Sequence, residues 1–410
     1  MRRRVVITGL GAVTPIGNNV KEFWQGIREG RCGIAPITYY DTSQQKVKLA
    51  GEVKNFEPEK VIEKKELRRM DRFTQFAQVA AAEAMEDSGI DLEKVDRSRF
   101  GVLVASGIGG LNAIQNEDRR GSEKGYDRVL PYFIPMCISN MAAGHIAIRY
   151  GLMGMCSCVV TACAGGTNAV GDAYRHIKDD YADMMICGGT ESCITNLGIG
   201  GFTAMQALSL SEDPVRASIP FDKERNGFVM AEGSAMLVLE EYEHAKSRNA
   251  HIYCELAGYG TNCDAYHVTA PREDGKGAAD CMRMALADAG AAPEDINYIN
   301  AHGTSTKLND KSETKAIRTI FGSYADRIAV SSTKSMTGHM IAATGAAEAV
   351  ITALSIEQGY IPATINYRVP DEECDLDVVP NKGREQSIGA AMSNSLGFGG
   401  HNACIVMKHI

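Results

Sequence analysis

One thiol in the sequence stands where it can act as a nucleophile. Cys163 occurs in VVTACAGGTNAVGDAYR, where an apolar strand pattern gives way to a helix with small residues in its first turn. At such a strand-to-helix turn the sulfur meets the helix N-terminus. The unpaired N–H groups and positive dipole end there favour thiolate over thiol, so a lowered pKa and a reactive sulfur are expected. Gly165 and Gly166 allow a substrate or another chain segment to approach closely. The plain alternative is a cysteine that only packs. A zinc site is not expected: Cys156, Cys158 and Cys163 lie close together, but no His or second closely spaced Cys pair accompanies them.

Further groups with chemical potential lie in the second half of the chain. His302 follows the strand pattern YIN in AHGTST, and His339 ends STKSMTGH; both occupy turn-like, Gly-containing contexts at strand or loop ends. Lys334 lies five residues before His339 and Glu348 nine beyond it on the next helix pattern. A buried Lys/Glu pair there can orient the imidazole, whereas a surface ion pair is the alternative. SNSLGFGGHNA, residues 393–403, joins two apolar strand patterns through three glycines. Such a loop can aim an N–H at an oxyanion, or be a hairpin whose Phe398 covers the core.

These residues must be positioned by a large framework. At 410 residues the chain exceeds the size at which one core usually stops growing, so two domains or two similar halves are expected. The RVVITGLG strand from Arg4 leads to a helix from about Val20, and strand and helix patterns then alternate, which predicts a layered α/β architecture with largely parallel strands. Residues 80–110 and 281–306 share one order of features: Ala-rich helix, Gly stop, acidic linker, strand and Gly turn. Strand 156–163 before its helix likewise resembles strand 328–335 before the Ala-rich helix after Gly345. Duplication is the expectation, with halves 1–250 and 251–410 meeting directly after the strand SAMLVLEE.

Composition narrows the class. The chain has 44% apolar and 23% charged residues and a net charge of −8, the balance of a globular protein without a general nucleic-acid-binding field. Gly9, Gly11 and Pro15 interrupt the apolar run after the N-terminal arginines, and no uninterrupted apolar stretch suits a membrane span; a cytoplasmic location is expected. The twelve scattered cysteines suggest reduced thiols. Lys64, Lys65, Arg68 and Arg69 in IEKKELRRMDRF predict a helical basic patch able to receive an acidic partner, or else a solvated helix face.

Taken together, the TAC element at Cys163, AHGTST at His302, SSTKSMTGH at Lys334 and His339, and NSLGFGGHN around Phe398 resemble the β-ketoacyl-acyl-carrier-protein synthases, most closely the elongating second form, over essentially the full chain. PFDKERNGF (220–228) and NCDAYHVTAP (262–271) are similar to further family segments. Departures include AEGSA at 231–235, Ile219, Leu396 and His401. The resemblance implies a five-layered αβαβα thiolase-like fold and a homodimer. It also implies decarboxylative condensation of malonyl-acyl-carrier protein with an acyl group held on Cys163. His302 and His339 would stabilise the enolate, Lys334 and Glu348 would arrange the rings, and the N–H groups of Cys163 and Phe398 would hold the oxyanion. Thr269, Thr304 and Thr306 would line the path of the phosphopantetheine arm, which arrives on the carrier protein, so no resident cofactor is expected. Ile108 and Phe202 would line the acyl pocket, and the basic patch would dock the carrier. A polyketide-type ketosynthase is the alternative enzyme. Chain-length-factor-like partner subunits share the likeness but lack the nucleophilic Cys, and degradative thiolases use a second C-terminal Cys where this chain has FGGHN.

Overall fold

The computed structural model describes residues 3–410. Its first half contains β1 (Val5–Val13), α1 (Arg72–Ser88), β2 (Phe100–Ala105), α2 (Met141–Tyr150), β3 (Cys156–Val159), α3 (Gly165–Lys178), β4 (Met184–Glu191) and β5 (Gly233–Glu241). The second half contains β6 (Cys254–Cys263), α4 (Lys276–Ala289), β7 (Tyr298–Asn300), α5 (Lys307–Phe321), β8 (Ala329–Ser331), α6 (Thr344–Gln358), β9 (Ala390–Gly397) and β10 (His401–Lys408).

The strand order is β3-β2-β4-β5-β1 in one half and β8-β7-β9-β10-β6 in the other, so each strand of the first half has a counterpart five places later. Pairing sense repeats as well. β2 pairs parallel with β3 and β4, and β7 pairs parallel with β8 and β9. The other two pairings in each half are antiparallel. The expectation of largely parallel strands is therefore corrected to a mixed sheet. In the second half the last strand returns through the three-residue turn between β9 and β10, and such a short connection enforces antiparallel pairing. In the first half a long segment that includes the helices Asn196–Ala204 and Pro214–Ala217 joins β4 to β5, which pair antiparallel as well.

The half-sheets join where β1 pairs antiparallel with β6 through Val5–Ile7, and they fold over α3 and α6, which pack against strands of both halves. α1 and α2 cover the first sheet, and α4 and α5 the second, completing the five αβαβα layers. The central position of α6 is written in its sequence. Thr344 through Ile356 are all buried, and a helix without a polar face must be surrounded by protein. Glycine lets the two central helices meet. A Cβ on Gly166 would lie 2.6 Å from the Ala342 carbonyl oxygen and 2.7 Å from the Ala346 nitrogen. Of the two occupants expected beside Gly166, it is thus the other central helix that fills the space.

Two strands are shorter than the patterns suggested. β3 stops at Val159, and Thr161 precedes a tight turn over Ala162–Ala164 in which Ala162 has φ 49°. β8 stops at Ser331, and Lys334 opens one helical turn. Both shortenings place side chains at the rim of the central layer instead of inside a ladder. All twelve cysteines are free thiols.

Candidate active site

The ends of β3, β7, β8 and β9 converge at one mouth, where a cavity of about 340 Å³ is lined by Cys163, His302, His339 and Phe398 together with Thr269, Thr304 and Thr306. Each predicted group reaches it by a different route. Cys163 lies in the turn before α3; His302 follows β7; His339 follows the turn of helix after β8; Phe398 tops the β9–β10 hairpin. Residues from both halves are therefore needed to complete the site.

The backbone N–H groups of Phe398 and of Cys163 itself favour the thiolate of Cys163. The 393–403 segment forms the hairpin the sequence allowed, with Gly397 opposite His401, and its tip sets Phe398 on the cavity wall. The expectation of a lowered thiol pKa is reversed. Burial pushes the Cys163 thiol up to about 11, against the opposing pull of the Lys334 charge and the two N–H groups. A thiol shut away from water loses more from desolvation of its anion than the turn returns.

The imidazoles of His302 and His339 stand edge to face with ring centroids 5.4 Å apart, and the Phe228 ring lies 5.2 Å from His339. Burial holds both rings well below the ordinary histidine pKa, and the Lys334 charge adds to the effect. Both are neutral at physiological pH, a state in which one ring nitrogen can donate a hydrogen bond without the ring carrying charge.

Lys334 and Glu348 form a buried ion pair at 2.6 Å, side chains 1% and 2% exposed, so the surface-pair alternative is overturned. Burial raises the Glu348 carboxyl to about 7, despite the neighbouring ammonium. The pair does not orient either ring by a hydrogen bond, contrary to expectation: the Lys334 ammonium is hydrogen-bonded to Glu348, and its influence on the histidines is electrostatic.

The residues that do orient the histidines were missed. Thr344 Oγ1 lies 3.0 Å from His339 Nδ1, and with its hydroxyl donating there the ring proton resides on Nε2, which has no partner within the protein. Glu313 accepts the N–H groups of His302 and Gly303, each at 2.8 Å, and so fixes the turn that presents His302. The only sequence signal for Thr344 was a hydroxyl residue at the start of an Ala-rich helix, and for Glu313 an acid on an otherwise amphipathic one. Thr344→Val, which keeps the shape and removes the hydroxyl, is expected to slow the histidine-dependent step about 3- to 10-fold, the worth of one hydrogen bond. Steady-state rates with unchanged thermal stability check this, and an unaltered rate would show that packing alone holds the ring.

Thr304 and Thr306 hydroxyls lie 2.9 Å apart on the cavity wall, with Asn226, Gln206 and Lys307 as further polar lining that the sequence did not single out. Ile108 and Phe202 do not line this cavity. Both are half-buried in an apolar cluster with Cys163, Leu111, Ile199 and Ile341, and the Phe202 ring lies 6.3 Å from that of Phe398. Of the basic patch, Lys64, Lys65 and Arg68 are exposed, while the Arg69 guanidinium stacks 4.6 Å from the Tyr132 ring. The helix there is a single turn, Lys64–Leu67, shorter than the predicted helical patch, and none of the four residues lines the cavity.

A duplicated five-layer fold with a Cys-His-His cavity where its halves meet defines the thiolase-like condensing enzymes. The chain belongs to the β-ketoacyl synthase family: its residues 2–245 match the profile of the β-ketoacyl synthase N-terminal domain and residues 253–368 that of the C-terminal domain. It is a ketosynthase of the acyltransferase class. The chain is 50% identical over 408 residues to 3-oxoacyl-[acyl-carrier-protein] synthase 2 of Synechocystis sp., covering 99% of this chain and 98% of the relative. The Staphylococcus aureus (strain COL) enzyme of the same name is 50% identical over 406 residues, with 99% and 98% covered. Among solved structures, a type II polyketide ketosynthase in complex with its acyl-carrier protein superposes with TM-score 0.93 at 39% identity, covering 100% of both chains. A β-ketoacyl synthase from Burkholderia phymatum superposes with TM-score 0.92 at 32% identity, again over 100% of both.

Proposed function

We propose that this ketosynthase elongates fatty acyl chains by two carbons, using acyl and malonyl groups delivered on acyl-carrier protein. One observation carries the assignment of roles: Cys163 and the Phe398 loop line the same cavity as two imidazoles whose pKa values are held low. Identity of 50% to a 3-oxoacyl-[acyl-carrier-protein] synthase 2, against 39% to the type II polyketide ketosynthase, supports the pathway.

Cys163 sulfur attacks the acyl thioester carbonyl, and the N–H groups of Cys163 and Phe398 hold the oxyanion. The carbon–sulfur bond to the carrier arm breaks, and the proton lost from Cys163 ends on the released arm thiol. The malonyl thioester then places its carbonyl oxygen against His302 and His339, whose donated hydrogen bonds stabilise the enolate as the carbon–carboxylate bond breaks and carbon dioxide leaves. The enolate carbon attacks the acyl carbonyl on Cys163 and expels the sulfur as a thiolate, which takes a proton from water to restore the resting thiol, giving the 3-oxoacyl product. Burial, with the Lys334 charge held in place by Glu348 adding to it, keeps both imidazoles neutral so that each donates without protonating the enolate.

The phosphopantetheine arm belongs to the carrier, and the hydroxyls of Thr269, Thr304 and Thr306 are its partners along the cavity. Lys64, Lys65, Arg68 and Arg69 offer charge to an acidic carrier. The protein acts as a homodimer in the cytoplasm. β3 is an edge strand flanked by exposed Met155 and Val160, and Ile138, Ile148 and Met153 add exposed apolar surface, a combination that pairing with a second copy removes. No helix among the described residues is long and apolar enough to cross a membrane.

The testing experiment is incubation with acyl- and malonyl-carrier proteins of several chain lengths, followed by intact mass spectrometry of enzyme and products. An acyl adduct on Cys163 and a product two carbons longer are expected, and absence of the adduct overturns the reading. The pH dependence follows from the shifts. Alkylation of Cys163 by iodoacetamide should climb with pH through neutrality and show no plateau below the thiol pKa of about 11, because only the thiolate reacts. Malonyl decarboxylation should instead be flat from about pH 6 to 8, because both histidines are already neutral there. An alkylation plateau near neutrality would contradict the buried, protonated resting thiol.

A further inference from the structure

Two turns related by the duplication are braced in the same manner, and only one of them carries a residue of the catalytic step. After β7, Glu313 accepts the N–H groups of His302 and Gly303. After β2, the counterpart of β7, Glu191 accepts those of Gly107 at 2.7 Å and Ile108 at 3.3 Å. Glu191 ends β4, is fully buried, and receives two more neutral donors: Ser106 Oγ at 3.1 Å and Cys193 Sγ at 3.5 Å. Ser106 Oγ in turn accepts the Gly109 N–H at 3.1 Å, so the whole 106–109 turn is tied to one carboxylate.

A buried carboxylate with only neutral partners is costly to retain, and the condensation steps do not use this one. What it holds is Ile108, whose side chain shares an apolar cluster with Cys163, Leu111, Ile199 and Phe202. The turn is seated without slack: a Cβ on Gly107 would lie 2.9 Å from Glu191 Oε2 and 3.3 Å from Ile341 Cγ2. We propose that Glu191 is a positioning residue for acyl-chain length, its carboxylate pinning the Gly107–Ile108 backbone so that Ile108 stands at a set depth beside the acylated Cys163. The inference rests on the ketosynthase reading above. Glu191 thereby braces the first half's turn as Glu313 braces the second half's turn that carries His302.

The test compares condensation of carrier-bound primers from four to twelve carbons by the wild type, Glu191→Gln, Ile108→Ala and the double variant. Gln keeps one acceptor oxygen but turns an NH2 toward the second backbone N–H, which frees the turn. The expected result is a rise of about 5- to 10-fold in the kcat/KM ratio of long to short primers for Glu191→Gln. In the Ile108→Ala background, where the side chain is already gone, the same substitution should change that ratio by less than about twofold. A loss equal at all chain lengths, or the same ratio shift in both backgrounds, overturns the proposal, because a merely structural carboxylate acts without reference to Ile108. Should Glu191→Gln not fold, Ser106→Ala, which removes one donor to Glu191 and the acceptor of Gly109, should move the ratio in the same direction by a smaller factor, and an unmoved ratio overturns the proposal equally. A wild type that condenses no primer would refute the functional reading itself, whereas a condensing wild type with an unshifted variant refutes only the role of Glu191.

Discussion

Replacing Cys163 with serine is expected to abolish the acyl-enzyme and to lower condensation by about 10⁴-fold or more. The site has no strong base to activate a hydroxyl: both imidazoles are held neutral and well below their ordinary pKa, and Lys334 is committed to Glu348. A serine there keeps the two N–H donors and the cavity but loses the nucleophile. Malonyl decarboxylation, which relies on the histidines, should persist within about tenfold of the wild type, since the two donors contribute that step's oxyanion stabilisation. Intact mass spectrometry reads the first effect and carbon-dioxide release the second. An acyl adduct surviving in Cys163→Ser would place the nucleophile elsewhere among the remaining thiols, and a collapse of decarboxylation would mean that Cys163 supports the histidine geometry.

The second large effect is expected at His339. His339→Ala removes one of the two donors to the enolate oxygen and should slow decarboxylation and condensation by about 10²- to 10³-fold, the usual cost of deleting one oxyanion donor. Acyl transfer to Cys163 should continue, because the proposed mechanism assigns that step to the N–H groups of Cys163 and Phe398 and not to the histidines. The split between a retained adduct and lost carbon-dioxide release is the diagnostic observation. His302→Ala should behave alike, its ring lying 5.4 Å from that of His339 against the same cavity. If acylation were lost in parallel with decarboxylation, the histidines would have to act on the thiol as well.

These effects, unlike those at Lys334, can be read without ambiguity from folding. Removing either member of the buried Lys334–Glu348 pair leaves an uncompensated charge among packed side chains, a change that costs about 3–5 kcal/mol and blurs mechanism with stability.

Much of this protein was determined by its sequence alone. Cys163 could be located because the strand-to-helix change around TAC is local, and the extent of α3, Gly165–Lys178, follows from the same periodicity that the residues display. The duplication was visible in segments 80–110 and 281–306 because helix stops and Gly turns are properties of short stretches. The catalytic motifs were legible as an ordered set resembling one family. The tertiary structure decided what depends on distant neighbours. Pairing sense within each half-sheet, the burial of Lys334 against Glu348, and the choice of Thr344 as the partner of His339 are made between elements that sequence spacing does not relate.

The direction of the Cys163 pKa shift belongs to the same class. A helix N-terminus seen in sequence argues for a reactive, acidic thiol; burial between two halves argues the reverse, and burial is a property only the folded chain has. The nucleophile was therefore determined by the sequence, and its resting protonation by the tertiary structure. Desolvation depends on how many layers close around a group, and no local window of residues contains that number.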